Sequence, residues 1–444
     1  MSDNYFFDSK KYTMEKKDNQ FVFYSNYYKK WFRVGETAKD ILMSLDGNKN
    51  IEEVSREISK EYDIPYEQVF SDTEKFCEDA FEKGYIFTDL GQTEIKEKKQ
   101  HLQNLYINVT KRCNFKCKYC NTAHNKNEII DLKQLKQYIV RLIDEEIIKY
   151  TTINITGGEP LLYQDLEELL RFLNERSLSC VVWTNGYYLN ENNISWLKEF
   201  CTYLIFPLDS KDEVTNDNIR DTGSFYAATK AAKLCRAHGM EFMCSFTPTK
   251  DTYVDMQELS LFVESLGAIS LLINEPIRET YTGSLINGFD YDEGDFIKKY
   301  AEVLDRIALI RSWKNYNSSE KVFSVQRTKE VCLNNIYYIK DKSGCGMCKN
   351  ELLIDSDGML YPCHMLYAEH LCCGDIQSGI NEKLPEIVQN ENDCVACQTC
   401  EMKFLCLGDC KAYKYYRNHS MQPVESKCIE IREKLLKNMF GIFE

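Results

Sequence analysis

The sequence predicts an α/β protein whose centre is a parallel sheet, open or curved into a barrel, with a small domain before it and a cysteine-rich segment after it. Three observations predict this. Strand-like apolar runs alternate with amphipathic helical runs from residue 105 to about 275. Three short aromatic strands and three helical patterns precede the polar, Lys-rich stretch TEIKEKKQHLQ at 93–103. Cysteines crowd into short spacings beyond 340. Repeated βα units pair their strands in parallel because each helix carries the chain back to the same end of the sheet. The domain boundaries follow as 1–88, a linker at 89–104, the βα domain at 105–290, a helical bridge at 291–340 and a C-terminal domain at 341–444.

The first block reads as strands YTMEKK, FVFYS and WFRV. Helices follow over ETAKDILMSLDG, stopped by Gly47, over NIEEVSREISKEY, capped by Asn50, and over YEQVFSDTEKFCEDAFEKG, ended by Gly84. In the βα domain the strands are LYINVT, TINITGG, CVVWTNG, YLIFPLD, EFMCSFTP and ISLLINEP, and helical patterns such as LKQLKQYIVRLIDEEIIKY and LEELLRFLNERS lie between them. Functional loops in such folds follow the C-terminal ends of the strands.

Composition narrows the function classes. At 444 residues the chain holds two or three domains. A formal net charge of -14 argues against a broad nucleic-acid surface, which needs a basic face. No run of about 18 apolar residues marks a membrane span, and MSDNYFFDSK has no apolar signal core. These features predict a cytoplasmic protein with no membrane partner. In that compartment 20 cysteines point to metal rather than to disulfides. A lone one in an apolar run, such as Cys201, reads as core.

The stretch KRCNFKCKYCNT directly follows the first βα strand and spaces Cys113, Cys117 and Cys120 as Cys-x3-Cys-x2-Cys. Zinc sites close with four ligands, commonly from two Cys-x2-Cys units. This trio is isolated, and three thiolates on a cubane 4Fe-4S cluster leave one iron open for another ligand. With Tyr119 before its last cysteine, the motif resembles the signature of the radical S-adenosylmethionine (SAM) enzymes. The resemblance implies a partial (β/α)6 barrel and SAM bound at the open iron. TGGEP, carrying Gly157, Gly158 and Glu159, resembles the loop that holds the SAM amino group. WTNG, carrying Thr184 and Asn185, stands where relatives contact the ribose region, and Arg220 in NIRDTGSF stands where an arginine pairs with the SAM carboxylate. Where relatives read SLDG this chain reads PLDS, so Pro207 replaces a serine that often contacts SAM.

The C-terminal segment is similar to the SPASM domain, an extension that holds two auxiliary 4Fe-4S clusters. Cys348-x9-Gly358-x4-Cys363 and Cys397-x2-Cys400-x5-Cys406-x3-Cys410, with Cys345 before and Cys428 after, carry the likeness. It implies Cys345, Cys348, Cys363 and Cys410 on one cluster and Cys397, Cys400, Cys406 and Cys428 on the other, three clusters in all. Cys394-x2-Cys397 is an alternative pair, and Cys372 and Cys373 could reach a cluster too. The N-terminal block resembles the winged-helix-like recognition domain of enzymes that modify ribosomally synthesised peptides (RiPPs), which binds a precursor's leader as an added strand. Phe21, Phe23, Trp31 and Phe32 are either its lining or its core. Residues 50–82 are acidic and supply no basic recognition helix, so no nucleic acid is expected.

Together the resemblances imply an oxidative peptide maturase. A 5'-deoxyadenosyl radical would take hydrogen from the precursor, a thioether or carbon-carbon crosslink would form, and an auxiliary cluster would take up the second electron. An external donor such as flavodoxin or ferredoxin would supply the first. His364, where sulfatase-maturing relatives carry an Asp, is the expected base. The alternatives are a protein oxidase of the sulfatase-maturase kind and a cluster-bearing redox regulator that binds DNA.

Overall fold

The computed structural model describes residues 4–88, 101–120, 127–274, 286, 288–289, 295–296, 298–300, 302–304, 306–307, 323–327, 348, 350–381, 397, 399–406, 411–418 and 425–440. Among them no helix is long and apolar enough to cross a membrane. Cys345, Cys394 and Cys410 lie outside the described residues.

The N-terminal domain opens with an antiparallel sheet of β1 (Thr13–Lys17), β2 (Gln20–Ser25) and β3 (Lys30–Gly35), followed by α1 (Glu36–Ser44), α2 (Ile51–Tyr62) and α3 (Tyr66–Glu82). Asn50 caps α2 in a reciprocal box with Glu53: its side chain accepts from the Glu53 N–H, and the Glu53 carboxylate accepts from the Asn50 N–H. Side chains alternate across β2. Phe21 and Phe23, with Phe32 of β3, join Ile41, Leu42, Val54 and Ile58 of the helices in one core. Val22 and Tyr24 point the other way. They pack with Trp31 against Met402, Phe404, Leu405, Leu435 and Met439 from the far end of the chain. The four aromatics thus face the core or the C-terminal helices, so strand burial and not a leader groove accounts for them.

The six expected βα strands are present as β4 (Asn104–Thr110), β5 (Thr152–Gly157), β6 (Ser179–Trp183), β7 (Tyr203–Pro207), β8 (Phe242–Phe246) and β9 (Ser270–Ile273), paired in parallel in that order. Helices α4 (Leu132–Asp144), α5 (Leu166–Asn174), α6 (Glu191–Phe200), α7 (Glu213–Arg220), α8 (Ser224–His238) and α9 (Met256–Ser265) connect them. Leu105, Ile107 and Val109 of β4 bury against these helices, and Tyr106 and Asn108 turn to the opposite face of the sheet.

The sheet extends beyond the expected barrel at both edges. The described residues at 295–307 are helical, but β10 (Ser324–Arg327), inside the stretch expected to be a helical bridge, pairs in parallel with β9. At the other edge β11 (Glu351–Ile354) pairs in parallel with β4 and leads into β12 (Met359–Tyr361), β13 (Gly374–Asp375) and β14 (Gly379–Ile380). Among the described residues the result is one 11-stranded sheet. Gly358, at φ +84°, turns the chain from β11 to β12, a conformation that glycine adopts without a Cβ penalty. Beyond the sheet lie α10 (Lys403–Cys406), α11 (Lys411–Asn418) and α12 (Glu425–Met439).

Candidate functional site

Four strand-end loops meet at the C-terminal edge of β4 to β7. The cysteine loop leaves β4 at Thr110 and runs beside the end of α7, where the Lys118 N–H donates to the Ile219 carbonyl at 2.9 Å and the Lys116 N–H to Asp221 at 3.0 Å. Cys113, Cys117 and Cys120 are each partly exposed. Cys117 Sγ lies 3.3 Å from the Arg220 carbonyl. Burial pushes the Cys113 thiol up to about 11 and the Cys117 thiol up as well, with Arg220 as its first counterweight. These sulfurs keep their protons at neutral pH until a bound metal replaces them.

Gly157 and Gly158 bring β5 against this loop. The Gly158 N–H donates to the Thr110 carbonyl at 2.7 Å and the Glu159 N–H to the Arg112 carbonyl at 2.8 Å. A Cβ on Gly157 would fall onto the Thr110 carbonyl, and one on Gly158 onto the Arg112 carbonyl. In the structure, then, both glycines serve close approach of backbone to backbone.

Glu159 is fully buried, and its carboxylate is already engaged. It accepts from Leu161 N–H at 3.0 Å, Thr184 Oγ1 at 2.6 Å and Asn185 N–H at 2.8 Å, which latches the β5 loop to the β6 loop. Burial raises its pKa, and these donors pull against that rise. Asn185 Nδ2 donates to Asn114 Oδ1 at 2.8 Å and lies 4.0 Å from Cys113 Sγ. Glu159 and Thr184, both in loops expected to bind SAM, hold those two loops together through the carboxylate and the hydroxyl, because a buried carboxylate needs every donor within reach.

Arg220, expected to meet a carboxylate, meets Asp209: Nε to Oδ2 is 2.6 Å, and both side chains are buried. Tyr119 donates to the same Oδ2 at 2.5 Å, its ring lies 5.2 Å from the guanidinium, and the Thr247 N–H donates to Oδ1 at 2.8 Å. Burial works against the Arg220 charge, and Asp209 more than restores it. Asp209 follows the end of β7 as the cysteines follow β4, a strand-end position that marks it in the sequence.

A second buried network stands beside the loop. Lys111 Nζ is 2.5 Å from Glu128 and 2.9 Å from Asp355, which follows β11. Asp355 also accepts from Asn108 Nδ2 at 3.0 Å and Tyr367 OH at 2.8 Å. Glu128, Asp355 and Asp357 place carboxylate oxygens within 4.8 Å of one another, as a cation site would, and Lys111 supplies the cation.

In the C-terminal segment the structure brings Cys348 and Cys363 together: the Cys348 N–H donates to the Pro362 carbonyl at 3.0 Å. Cys373 joins them, its Sγ 3.9 Å from that of Cys348. Cys400 lies just before α10, Cys406 is its last residue and packs among the Val22 and Leu435 cluster, and Cys428 is exposed on α12. Cys397 is partly exposed just before them. His364 stacks on Tyr106 at 4.3 Å, and its Nδ1 is 2.5 Å from Glu351 Oε1, which also accepts the His364 N–H at 3.0 Å. Tyr106 lies four residues upstream of Thr110, so His364 stands about 13 Å down the strand from the cysteine loop. Sequence reasoning missed Glu351, Asp209, Lys111 and Asp355.

Residues 107–263 match the radical SAM superfamily, and residues 21–86 match coenzyme PQQ synthesis protein D (PqqD). Among characterised relatives, the chain is similar to an AdoMet-dependent heme synthase of Nitratidesulfovibrio vulgaris, 23% identical over 347 residues, 72% of this chain and 90% of that protein. It is also similar to a cysteine-type anaerobic sulfatase-maturating enzyme of Clostridium perfringens, 23% identical over 362 residues, 72% of this chain and 92% of that one. The crystal structure of Streptococcus suis SuiB bound to S-adenosylmethionine shares the fold, with a TM-score of 0.59 at 16% identity over 94% of this chain and 98% of that one. A PqqD-type domain followed by a radical SAM domain is therefore what the chain carries.

Proposed function

We propose that this chain, a radical SAM protein with a PqqD-type domain in front, is an enzyme that oxidatively crosslinks a ribosomally made precursor peptide. The observation that carries the reading is the cysteine loop: three partly exposed thiols at a strand end, with loops from the neighbouring strands latched against it. The donor set fits a cubane with one open iron. Cys113, Cys117 and Cys120 would hold it, and SAM would bind beside it near Asn185 and Arg220. When bound, the pair supplies a 5'-deoxyadenosyl radical that takes hydrogen from the peptide.

The chain's own residues do the positioning. Gly157 and Gly158 seat the loop, Glu159 ties it to Asn185, and Asp209 orients Arg220 and Tyr119. Cys345, Cys348, Cys363 and Cys410 would hold one auxiliary cluster, and Cys397, Cys400, Cys406 and Cys428 another. His364, turned by Glu351 so that Nε2 is its remaining nitrogen, would take the proton released as the bond forms. The PqqD-type domain supports a peptide substrate, and a crystal structure of SuiB bound to precursor peptide SuiA has the same fold, with a TM-score of 0.57. A sulfatase-maturase-like oxidation, without a crosslink, is the second reading, favoured by the cover of the Clostridium perfringens enzyme.

The test uses anaerobically reconstituted protein with SAM, dithionite and precursor peptides from adjacent small reading frames. Wild type should make 5'-deoxyadenosine and a peptide lighter by two hydrogens. Cys117→Ala should make neither. Cys400→Ala should make 5'-deoxyadenosine without the crosslink, and a soluble variant lacking one cluster that crosslinks at the wild-type rate would sink the auxiliary role. Absence of 5'-deoxyadenosine from wild type removes the radical SAM activity itself.

A further inference from the structure

The seam between the two ends of the chain is built from cysteine-bearing pieces. On one side stand Val22, Tyr24 and Trp31, the outer face of the N-terminal sheet. On the other, Met402, Phe404 and Leu405 come from the single turn α10 and the residue before it, and Leu435 and Met439 come from α12. Two thiol residues close that turn. The Cys400 carbonyl accepts from the Lys403 N–H at 3.1 Å, and the Cys406 N–H donates to the Met402 carbonyl at 2.9 Å. A turn of four residues makes too few hydrogen bonds to hold its shape alone, yet part of the N-terminal sheet rests on it. On α12, Cys428, Arg432 and Leu435 fall at i, i+4 and i+7, so they share one face. That face turns to the N-terminal domain: Arg432 meets Glu15 at 2.9 Å, and Leu435 packs with Val22 and Tyr24. Charge adds little, because the Arg432 pair is largely exposed and Lys29 repels Lys403.

We propose that a cluster on Cys397, Cys400, Cys406 and Cys428 builds the seat of the N-terminal domain, which docks on α10 and α12 when this site is loaded and is released when it is empty. The inference rests on the assignment of those four thiols to one auxiliary cluster. It adds a second duty, fixing the place of the domain proposed to bind the peptide. Ligands before α10, at its end and on α12 would tie the short turn to the long helix, and for such segments the free energy of metal binding is free energy of folding. The seat exists only once those pieces are joined. Linkage then makes the effect mutual: metal that favours the docked form is itself held more tightly by it. A released domain could still bind a leader, but it would present the rest of the peptide to the cysteine loop at a lower effective concentration.

The test labels anaerobically reconstituted full-length protein with N-acetylimidazole, which acetylates accessible tyrosines. Tyr24 is 1% exposed within the seam, so its labelling, located by mass spectrometry, reads docking. Cys428 is exposed and lies outside the apolar seam, so Cys428→Ala removes a ligand without removing packing. In that variant iron per chain should fall, Tyr24 should label about tenfold faster than in wild type, and hydrogen exchange should quicken in α10 and α12. Cys117→Ala and Cys363→Ala, each aimed at another cluster, should lose iron as well but keep Tyr24 labelling within about twofold of wild type. Exchange in α4 and α5 should stay unchanged throughout. Equal Tyr24 labelling in loaded and chelator-stripped wild type overturns the proposal, as does a rise in Cys363→Ala as large as that in Cys428→Ala. Faster exchange in α4 and α5 of Cys428→Ala overturns it too, because the chain is then unfolding generally, and full iron in that variant does so because Cys428 is then no ligand. Should loaded wild type make no 5'-deoxyadenosine, the radical SAM activity fails by itself, and the Tyr24 comparison still decides the seat.

Discussion

Lys111 stands two residues before the first cysteine of the trio and is 1% exposed. An ammonium at that depth is tolerated because its charge is paired and its partners are themselves hydrogen-bonded. Burial pulls its proton affinity down, and the bonds to Glu128 and Asp355 raise it above the ordinary lysine value of 10.5. The contribution of a raised lysine is fully present below its unfolded value and fades as pH climbs through the folded one, so it is complete at neutral pH. Asp355→Asn should destabilise the protein by about 3 kcal/mol, the low end for breaking a buried pair, because Glu128 remains. Urea unfolding of the metal-free protein followed by circular dichroism checks this, and a loss under about 0.5 kcal/mol would mean that Glu128 suffices. The sequence showed a lysine beside a cysteine motif. Nothing in it could show that Asp355, 244 residues later, would close over that lysine.

Among the elements, the six βα strands, the three N-terminal helices and the Asn50 cap were legible, because period, punctuation and capping chemistry are local. The edge strands β10 and β11 were not, since Ser324–Arg327 and Glu351–Ile354 are four residues each and owe their place to partners far along the chain. The site divides the same way. Cys113 and Gly158 announced themselves by spacing, whereas the Asp209–Arg220 pair depends on how the β7 loop and α7 come to rest. The β5 loop gives the sharpest element-scale prediction. Gly158→Ala places a methyl against the Lys111 and Arg112 backbone, which has no flexible side chain to move. The loop must then shift, and, with the three clusters proposed above, iron bound per chain after reconstitution should drop by about a third as the cluster on this loop is lost. Full iron content with normal SAM cleavage would show that the loop tolerates the methyl.

At the scale of the whole molecule, the two ends of the chain meet. Val22 and Tyr24 of β2 pack on Leu435 and Met439 of α12, and Arg432 reaches Glu15 at 2.9 Å. Leu435 is fully buried, so Leu435→Ala should cost about 2–5 kcal/mol of local stability. Hydrogen exchange should speed up in β2 and α12 together. Protection unchanged in β2 would mean that the domain holds itself. Removing residues 1–88 should bare Met402, Phe404 and Leu405, so the truncated protein is expected to aggregate rather than merely lose its peptide. The pairing of β4 with β11 bears on a different matter, the order of assembly during synthesis. Strand β4 and the lysine that anchors the cysteine loop leave the ribosome 244 residues before Asp355. At about 5–20 residues per second, that interval is on the order of 10–50 s. For that time the three thiols are borne on a sheet edge without its final neighbour, so the packing that anchors their loop waits until roughly four-fifths of the chain has been made.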